Sequence, residues 1–166
     1  MKLIDLIKSD LKANPTAKSR FVLVFFRISH ATLEFPTLLL PLAIIIRVLY
    51  RLMIDWLIGI DIPVRTKIGP SAIIYHGFGL VINPTAVIGS NCILRHGVTI
   101  GNKIVNGKET ASPIIGDFVE FGANASIIGP ITIGNHCIIG ANTVLTKSIP
   151  DHTIAVGCSA RILKND

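Results

Sequence analysis

Residues 115–145 read IGDFVEFGANASIIGPITIGNHCIIGANTVL, and this stretch decides the fold. Ile115, Phe121, Ile127, Ile133, Ile139 and Leu145 return every six residues without a miss. Gly116, Gly122, Ile128, Gly134, Gly140 and Thr146 follow them directly, and Val119, Ala125, Ile131, Cys137 and Thr143 stand four positions after the first five. An amphipathic helix repeats near 3.6 residues and a half-buried strand near 2, so neither accounts for a period of six. A coil of short parallel strands does: each hexad forms one flat side, and three hexads complete a turn. The aliphatic residue then points inward onto its equivalent in the next turn. The small residue after it lets the backbone bend at the corner.

Outward from this ladder, composition narrows the class. Half of the 166 residues are hydrophobic and 16% are charged, which excludes a disordered chain and allows a large core. The formal charge of +6 is compatible with nucleic acid, an anionic membrane or a phosphorylated small molecule. No nucleic-acid module is present and aromatic residues are too sparse for base stacking, so nucleic acid is not an expected partner. Cys92 and Cys137 occupy the small inward position of a hexad and are expected in the core, and no C-x-x-C pair points to zinc or redox chemistry. Met1-Lys2-Leu3-Ile4-Asp5 lacks the pattern of a secretory signal, so the simplest expectation is a reduced, cytoplasmic chain.

Upstream, residues 1–60 are expected to form a helical region, with residues 61–166 as the coil. Leu3, Ile4, Ile7 and Leu11 share one face of a first helix that Asn14-Pro15 ends. Pro36 and Pro41 are expected to break the apolar stretch after Arg20, with helix resuming from Leu42 to Leu57. The uncharged run between Glu34 and Arg47 is too short and too proline-broken for a bilayer span of roughly 20 residues. Arg47, Arg51 and Asp55, at i, i+4 and i+8, form a polar stripe on an otherwise apolar helix. Such a helix either packs on its own oligomer or lies at the inner membrane face, with Phe21, Phe25, Phe26, Phe35 and Trp56 as anchors.

Two irregularities interrupt the rhythm. The hexads at Ile62, Ile68 and Ile74 resume at Ile82, Ile88, Leu94 and Ile100, so two extra residues lie within His76-Gly77-Phe78-Gly79-Leu80. Such a slip is expected to re-aim nearby side chains. The second is the polar segment 102–112, NKIVNGKETAS, expected as a loop thrown out from the coil. A final partial turn at Val156-Gly157 and Ile162 is expected to end in a short polar tail.

Asp61-Ile62, Lys67-Ile68-Gly69, His76-Gly77, Ala86-Val87-Ile88-Gly89, His96-Gly97-Val98-Thr99-Ile100-Gly101 and Val156-Gly157 follow one family in order and spacing. From Asp61 to Leu163 the chain resembles the serine acetyltransferases, and more loosely so through Arg27-Ile28-Ser29-His30. The resemblance implies a left-handed parallel β-helix and a homotrimer, or a hexamer of two trimers. It also implies transfer of acetyl from acetyl-CoA to a hydroxyl, without a metal, in clefts between neighbouring coils. His76 takes the family's general-base position, and Asp61, fifteen residues earlier, that of its carboxylate partner. The chemistry asks for such a pair: an alcohol needs a group of pKa near about 6.5 to take its proton as the C–O bond forms. A carboxylate would hold the imidazole tautomer. His96 is implied in the cleft, and Gly101, Ala123 and Ala141 match the groove for the pantetheine arm, although corners demand small residues for their own reasons. Lys103, Lys108, Arg161 and Lys164 are candidates for the CoA phosphates or simply solvated cations, while His136, His152 and His30 are expected to be structural or surface residues.

The resemblance fails where the family holds serine. Tyr75 stands where an aspartate would meet the amino group, and Ala111-Ser112-Pro113 where an Arg-His-Pro segment would grip the carboxylate. An unpaired charge in a buried site is costly, and no hydroxyl replaces a guanidinium clamp. The same combination is similar to the acetyltransferases of capsular and colanic-acid assembly, whose acceptor is a sugar hydroxyl that Tyr75 could support by stacking. The alternatives are an L-serine O-acetyltransferase of cysteine biosynthesis and a non-catalytic β-helix scaffold.

Overall fold

The inward hexad positions become the axis of the molecule in the computed structural model, which describes residues 1–158 and the backbone of residues 161–164. The first coil consists of β1 (Ile60–Asp61), β2 (Lys67–Ile68) and β3 (Ile73–Tyr75), and the second of β4 (Leu80–Ile82), β5 (Val87–Ile88) and β6 (Ile93–Arg95). In the third, β7 (Thr99–Gly101) is followed by a hairpin, β8 (Ile104–Val105) and β9 (Lys108–Glu109), before β10 (Ile114–Ile115) and β11 (Glu120–Phe121). The fourth coil holds β12 (Ser126–Ile128), β13 (Thr132–Ile133) and β14 (Ile138–Ile139), and the fifth β15 (Val144–Leu145) and β16 (Thr153–Val156). The strands stack in parallel into three faces: β1-β4-β7-β12-β15, β2-β5-β10-β13 and β3-β6-β11-β14-β16. The chain is thus a parallel β-helix of about five turns with a short helical region before it.

Register explains both irregularities. Ser126 pairs with Val144 and Thr132 with Ile114, a regular step of 18 residues. Ile60 pairs with Leu80, a step of 20, and Val87 with Ile114, a step of 27. Surplus residues are expelled sideways so that the inward stack keeps its phase. Ile115, Phe121, Ile127, Ile133, Ile139 and Leu145 are all buried, as are Cys92 and Cys137. Each such aliphatic side chain contributes about 1.5–3 kcal/mol.

Three expectations are corrected. The expelled segment ends before Ser112, which is buried and donates to Asn83 Oδ1 at 2.8 Å, with Thr85 Oγ1 2.7 Å away. The C-terminal segment is no partial turn: β17 (Arg161–Lys164) folds back antiparallel on β16, Ile162 opposite Ala155. Pro41 does not break the apolar stretch either. It sits in the first turn of a helix, where its missing N–H has no partner to lose, and helical structure runs on from Thr37 to Leu57, 21 residues. By length and composition that run is long enough to cross a membrane.

The helices are α1 (Leu3–Ala13), α2 (Ala17–Ala31) and α3 (Leu40–Tyr50), the last continuing into a π-helical turn, Arg51–Leu57. They cover the open edge of the first coil, whose backbone groups have no preceding coil to bond. Tyr50 donates its hydroxyl to Ile62 O at 2.8 Å, and His30 Nδ1 lies 2.6 Å from Val64 O. The Asn14 side chain donates to Ala72 O at 2.7 Å and accepts from Ile74 N at 3.0 Å, as a neighbouring strand would. Arg27 is buried and binds three groups: the Asp10 carboxylate at 2.7 Å, Ile68 O at 2.5 Å and Gly69 O at 2.6 Å.

A buried ion pair that loses one partner leaves an uncompensated charge. Arg27→Met is therefore expected to cost about 3–5 kcal/mol in urea denaturation. Adding Asp10→Leu should recover part of the loss, and an unchanged midpoint in the single variant would remove the pair from its anchoring role.

Candidate active site

The expelled residues at the first irregularity are Gly77 and Phe78. Tyr75 pairs with Arg95, and the second coil then turns through His96 directly to Gly97, whose N–H donates to Phe78 O at 2.9 Å. Phe78 is turned out with its ring against Gly59, where an added Cβ would lie 3.1 Å from it. Gly77 settles onto the core: a Cβ there would come within 2.7 Å of Ile60 Cδ1 and 2.8 Å of Ile74 Cγ2. His76, just before them, has φ +53°. That left-handed conformation costs a non-glycine residue roughly 1–2 kcal/mol and persists only where surrounding structure fixes it. The turn thus aims the imidazole from a rigid corner.

Four of the residues singled out from the sequence share that corner. His76 and His96 follow the paired Tyr75 and Arg95, and their ring centroids are 6.3 Å apart at 75°. Asn124 N donates to His96 O and Asn142 N to Ala123 O, so Ala123 and Ala141 continue the same file in the next two coils. Side chains shrink along it from two imidazoles to two methyl groups. The backbone beneath them becomes accessible, Ala123 being half-buried and Ala141 exposed. Such a file fits a thin extended ligand. Gly101 ends β7 on the adjacent face and is not part of it.

Tyr75 points outward beside the file. Its ring lies under the Arg95 guanidinium, 5.9 Å from centroid to Cζ, and Arg95 in turn holds Glu120 at 2.7 Å and Phe121 O at 3.2 Å. Arg95 is a neighbour that the hexad pattern could not reveal, because it occupies an outward position to which any polar residue is suited.

Asp61 lies apart from His76 in the single chain. It faces outward from β1 opposite Val81 and lines a cavity of about 370 Å³ between the first coil and α3. His76 lines a smaller one of about 150 Å³ against Thr16, Lys18 and Ser19 of the α2 end, and Ile60 borders both. The ion pairs among the described residues are Arg27–Asp10, Arg51–Asp55 and Arg95–Glu120. The polar stripe on the apolar helix is the far wall of the Asp61 cavity, since Arg47, Arg51 and Asp55 all line it. Its i, i+4, i+8 spacing was the sequence signal for this wall. Partial burial pushes the Asp61 carboxyl above its ordinary range, Asp55 adds to the rise, and Arg51 opposes it. Burial, with Asp61 and Asp55 nearby, also raises the Tyr50 hydroxyl, which stays protonated and donating.

The remaining candidates stand elsewhere. Lys103 lays its stem against Gly129, and Lys108 belongs to the exposed hairpin. The side chains of Arg161 and Lys164 lie outside the described residues. His136 and His152 stack in parallel with Phe118, centroids 4.7 and 5.0 Å apart, along a different corner. No three His, Cys, Asp or Glu side chains converge as a metal-binding group among the described residues.

This geometry meets a consistent set of relatives. Residues 112–147 match the bacterial transferase hexapeptide family (six repeats), and residues 85–105 the hexapeptide repeat of succinyl-transferase. The Escherichia coli K12 protein named as the colanic acid biosynthesis acetyltransferase WcaB is 43% identical over 115 residues, 69% of this chain and 70% of the relative. Serine acetyltransferase of Mycobacterium tuberculosis is 40% identical over 108 residues, 64% of this chain but 46% of that longer protein. A solved serine acetyltransferase in complex with CoA superposes with a TM-score of 0.78 at 27% identity, covering 97% of this chain and 69% of that one. Fold, repeat and sequence agree: the chain belongs to the serine acetyltransferase family of hexapeptide-repeat acyltransferases and is an acetyltransferase.

Proposed function

We propose that the protein transfers acetyl from acetyl-CoA to the hydroxyl of a sugar in capsule or exopolysaccharide biosynthesis. The observation that carries this reading is the occupation of the serine-holding positions by uncharged side chains. Ala111 leaves only a methyl group where the guanidinium clamp would stand, and Ser112 beside it, in place of the histidine, is buried and bonded to Asn83 and Thr85. Tyr75 offers an aromatic face and a hydroxyl in place of a carboxylate. A zwitterionic amino acid finds neither the carboxylate nor the guanidinium at these positions, and the Arg95 guanidinium beside Tyr75 is already paired with Glu120, so its desolvation would go uncompensated. A sugar needs stacking and neutral hydrogen bonds, which Tyr75 supplies. The similarity to WcaB supports the same acceptor class.

In this reading the thioester supplies an already activated acyl group, so no acyl-enzyme is required. His76 accepts the proton of the acceptor hydroxyl as its oxygen attacks the acetyl carbon, and then gives that proton to the departing CoA sulfur. Asp61 stabilises the imidazolium formed between these two events, as a carboxylate does in hydrolase triads. The two side chains face different cavities in one chain, so the reading requires a modest rotation of either when ligand fills the cleft. Ala123 and Ala141 line the path of the pantetheine arm, and a homotrimer provides its second wall from a neighbouring coil.

Two measurements test the reading. His76→Asn is expected to lower turnover about 10²- to 10⁴-fold with little change in KM for acetyl-CoA, the usual share of a general base. Full turnover in that variant would take His76 out of the general-base role, absence of acetyl transfer in the unaltered protein would leave a scaffold as the better description, and ordinary rates of CoA release with L-serine would replace the sugar by serine. The second measurement is the lower break in the acid limb of the pH–rate profile, where the slope steepens from one proton to two as Asp61 protonates after the general base. Asp61 must be ionised to act, and its raised pKa brings the loss of activity to a higher pH than an ordinary carboxylate would. Removing a negative neighbour lowers that pKa, so Asp55→Asn should move the break to lower pH. Arg51→Gln should move it higher. A profile with no such lower break, or a lower break indifferent to both substitutions, would take Asp61 out of the mechanism.

A further inference from the structure

The helical run from Thr37 to Leu57 is apolar apart from the stripe of Arg47, Arg51 and Asp55, yet much of its apolar surface does not meet the protein. Ala43, Tyr50 and Ile54 are buried against the coil and α2. Leu38, Ile45, Trp56 and Leu57 on the other sides are 89, 56, 79 and 74% exposed. So wide an apolar surface on one helix belongs in an apolar environment. The exposed surface does not stop at this helix. Phe25 meets the Tyr50 ring edge-on, with centroids 5.6 Å apart, and borders an apolar groove of about 400 Å³ over α1 and α2. A patch of this extent marks an interaction site.

Charge selects the occupant. Residues 1–59 contain eight Lys and Arg against four Asp and Glu, a balance of +4 out of the chain's +6. Of those four acids, Asp10 and Asp55 are bound to Arg27 and Arg51. Lys2, Lys8, Lys12 and Lys18 are exposed and join no ion pair among the described residues. A second copy docked face to face here would set one net-positive helical region against another. An anionic lipid surface satisfies the apolar side chains and matches the net positive charge of the helical region, Arg20 lying at the groove itself. Crossing the bilayer fits less well, because Tyr50 and Arg47 are bonded to Ile62 O and Thr32 and hold one stripe of the run to the protein. Arg51 and Asp55 would also enter hydrocarbon.

We propose that the Thr37–Leu57 run, with the groove beside it, docks the enzyme on an anionic lipid bilayer and lies within the interface. This inference does not rest on which hydroxyl is acetylated. It places the Asp61 cavity, whose wall is this same helix, at the membrane surface.

Trp56 is the chain's single tryptophan and a built-in probe. The full chain is mixed with phosphatidylcholine vesicles prepared with or without phosphatidylglycerol. The expected result is a blue-shifted Trp56 emission with the anionic vesicles and quenching by brominated acyl chains. Partitioning should weaken about tenfold or more in high salt, as screened lysine contacts are lost. Ile45→Glu/Leu49→Glu changes two exposed side chains, so the fold should survive by circular dichroism, and acetyl transfer to a soluble acceptor should persist. Its partitioning should fall about tenfold or more through lost apolar burial. The proposal is overturned if Trp56 emission is unaffected by either vesicle. It is equally overturned if emission shifts with protein concentration alone, in an assembly that the double variant dissociates, or if alkaline extraction fails to release the protein from the vesicles.

Discussion

Everything in this molecule depends on keeping the inward aliphatic stack in phase. Strands of neighbouring coils are spaced at about 4.8 Å and share hydrogen bonds, so each coil must return its side chains to the same azimuth as the last. Ile60, Leu80 and the residues after them tolerate no angular drift, because a slip of one residue would turn the core-facing set to solvent. Surplus chain is therefore pushed outward at a corner. The two expulsions, at Gly77-Phe78 and between Gly101 and Ile114, are therefore the places where the step between coils departs from 18 residues. Rigidity of the stack and freedom at its corners have one origin, and the imidazole of His76 is aimed by the first as much as by the second.

The same constraint explains how the helical region is joined on. An edge of unpaired N–H and C=O groups needs partners of matching spacing, and a helix backbone cannot supply them. Side chains do so here: Asn14 imitates a strand for Ala72 and Ile74, while Arg27 bridges two carbonyls and a carboxylate. Helix and coil are thereby one unit. The position of the apolar α3 surface relative to the Asp61 cavity is set by Tyr50, Arg27 and Asn14, with the greasy contacts filling the space between.

Legibility in the sequence followed periodicity. The six-residue recurrence marks the core because it is the direct imprint of a repeating environment, and the slip at His76 and the polar run after Gly101 stand out against it. Polar contacts between distant segments leave no such imprint. Asn14 looked like a helix end and Arg27 like part of a family likeness, and nothing local discloses that they bond to residues about 40 to 60 positions away. Pro41 was read as a breaker because the first turn of a helix, where it is harmless, cannot be located without the residues that precede it in space. Ser112 was assigned to the loop on composition, whereas its hydroxyl finds Asn83 in the coil above. The separation of Asp61 from His76 was equally invisible, since a spacing of fifteen residues fixes a coil position and not a rotamer.

A parallel coil is in principle a polymer: its two terminal faces are identical in kind to the joints between its turns, so nothing in the repeat itself limits growth. Here one face is sealed by side chains from α1, α2 and α3. On the other, β17 reverses direction across β16 and gives one of the three faces an antiparallel rim that does not continue the parallel stack. The chain is in this sense a terminated segment, and its length is specified by its caps. Loss of either cap would convert a discrete catalyst into a seed for end-to-end assembly.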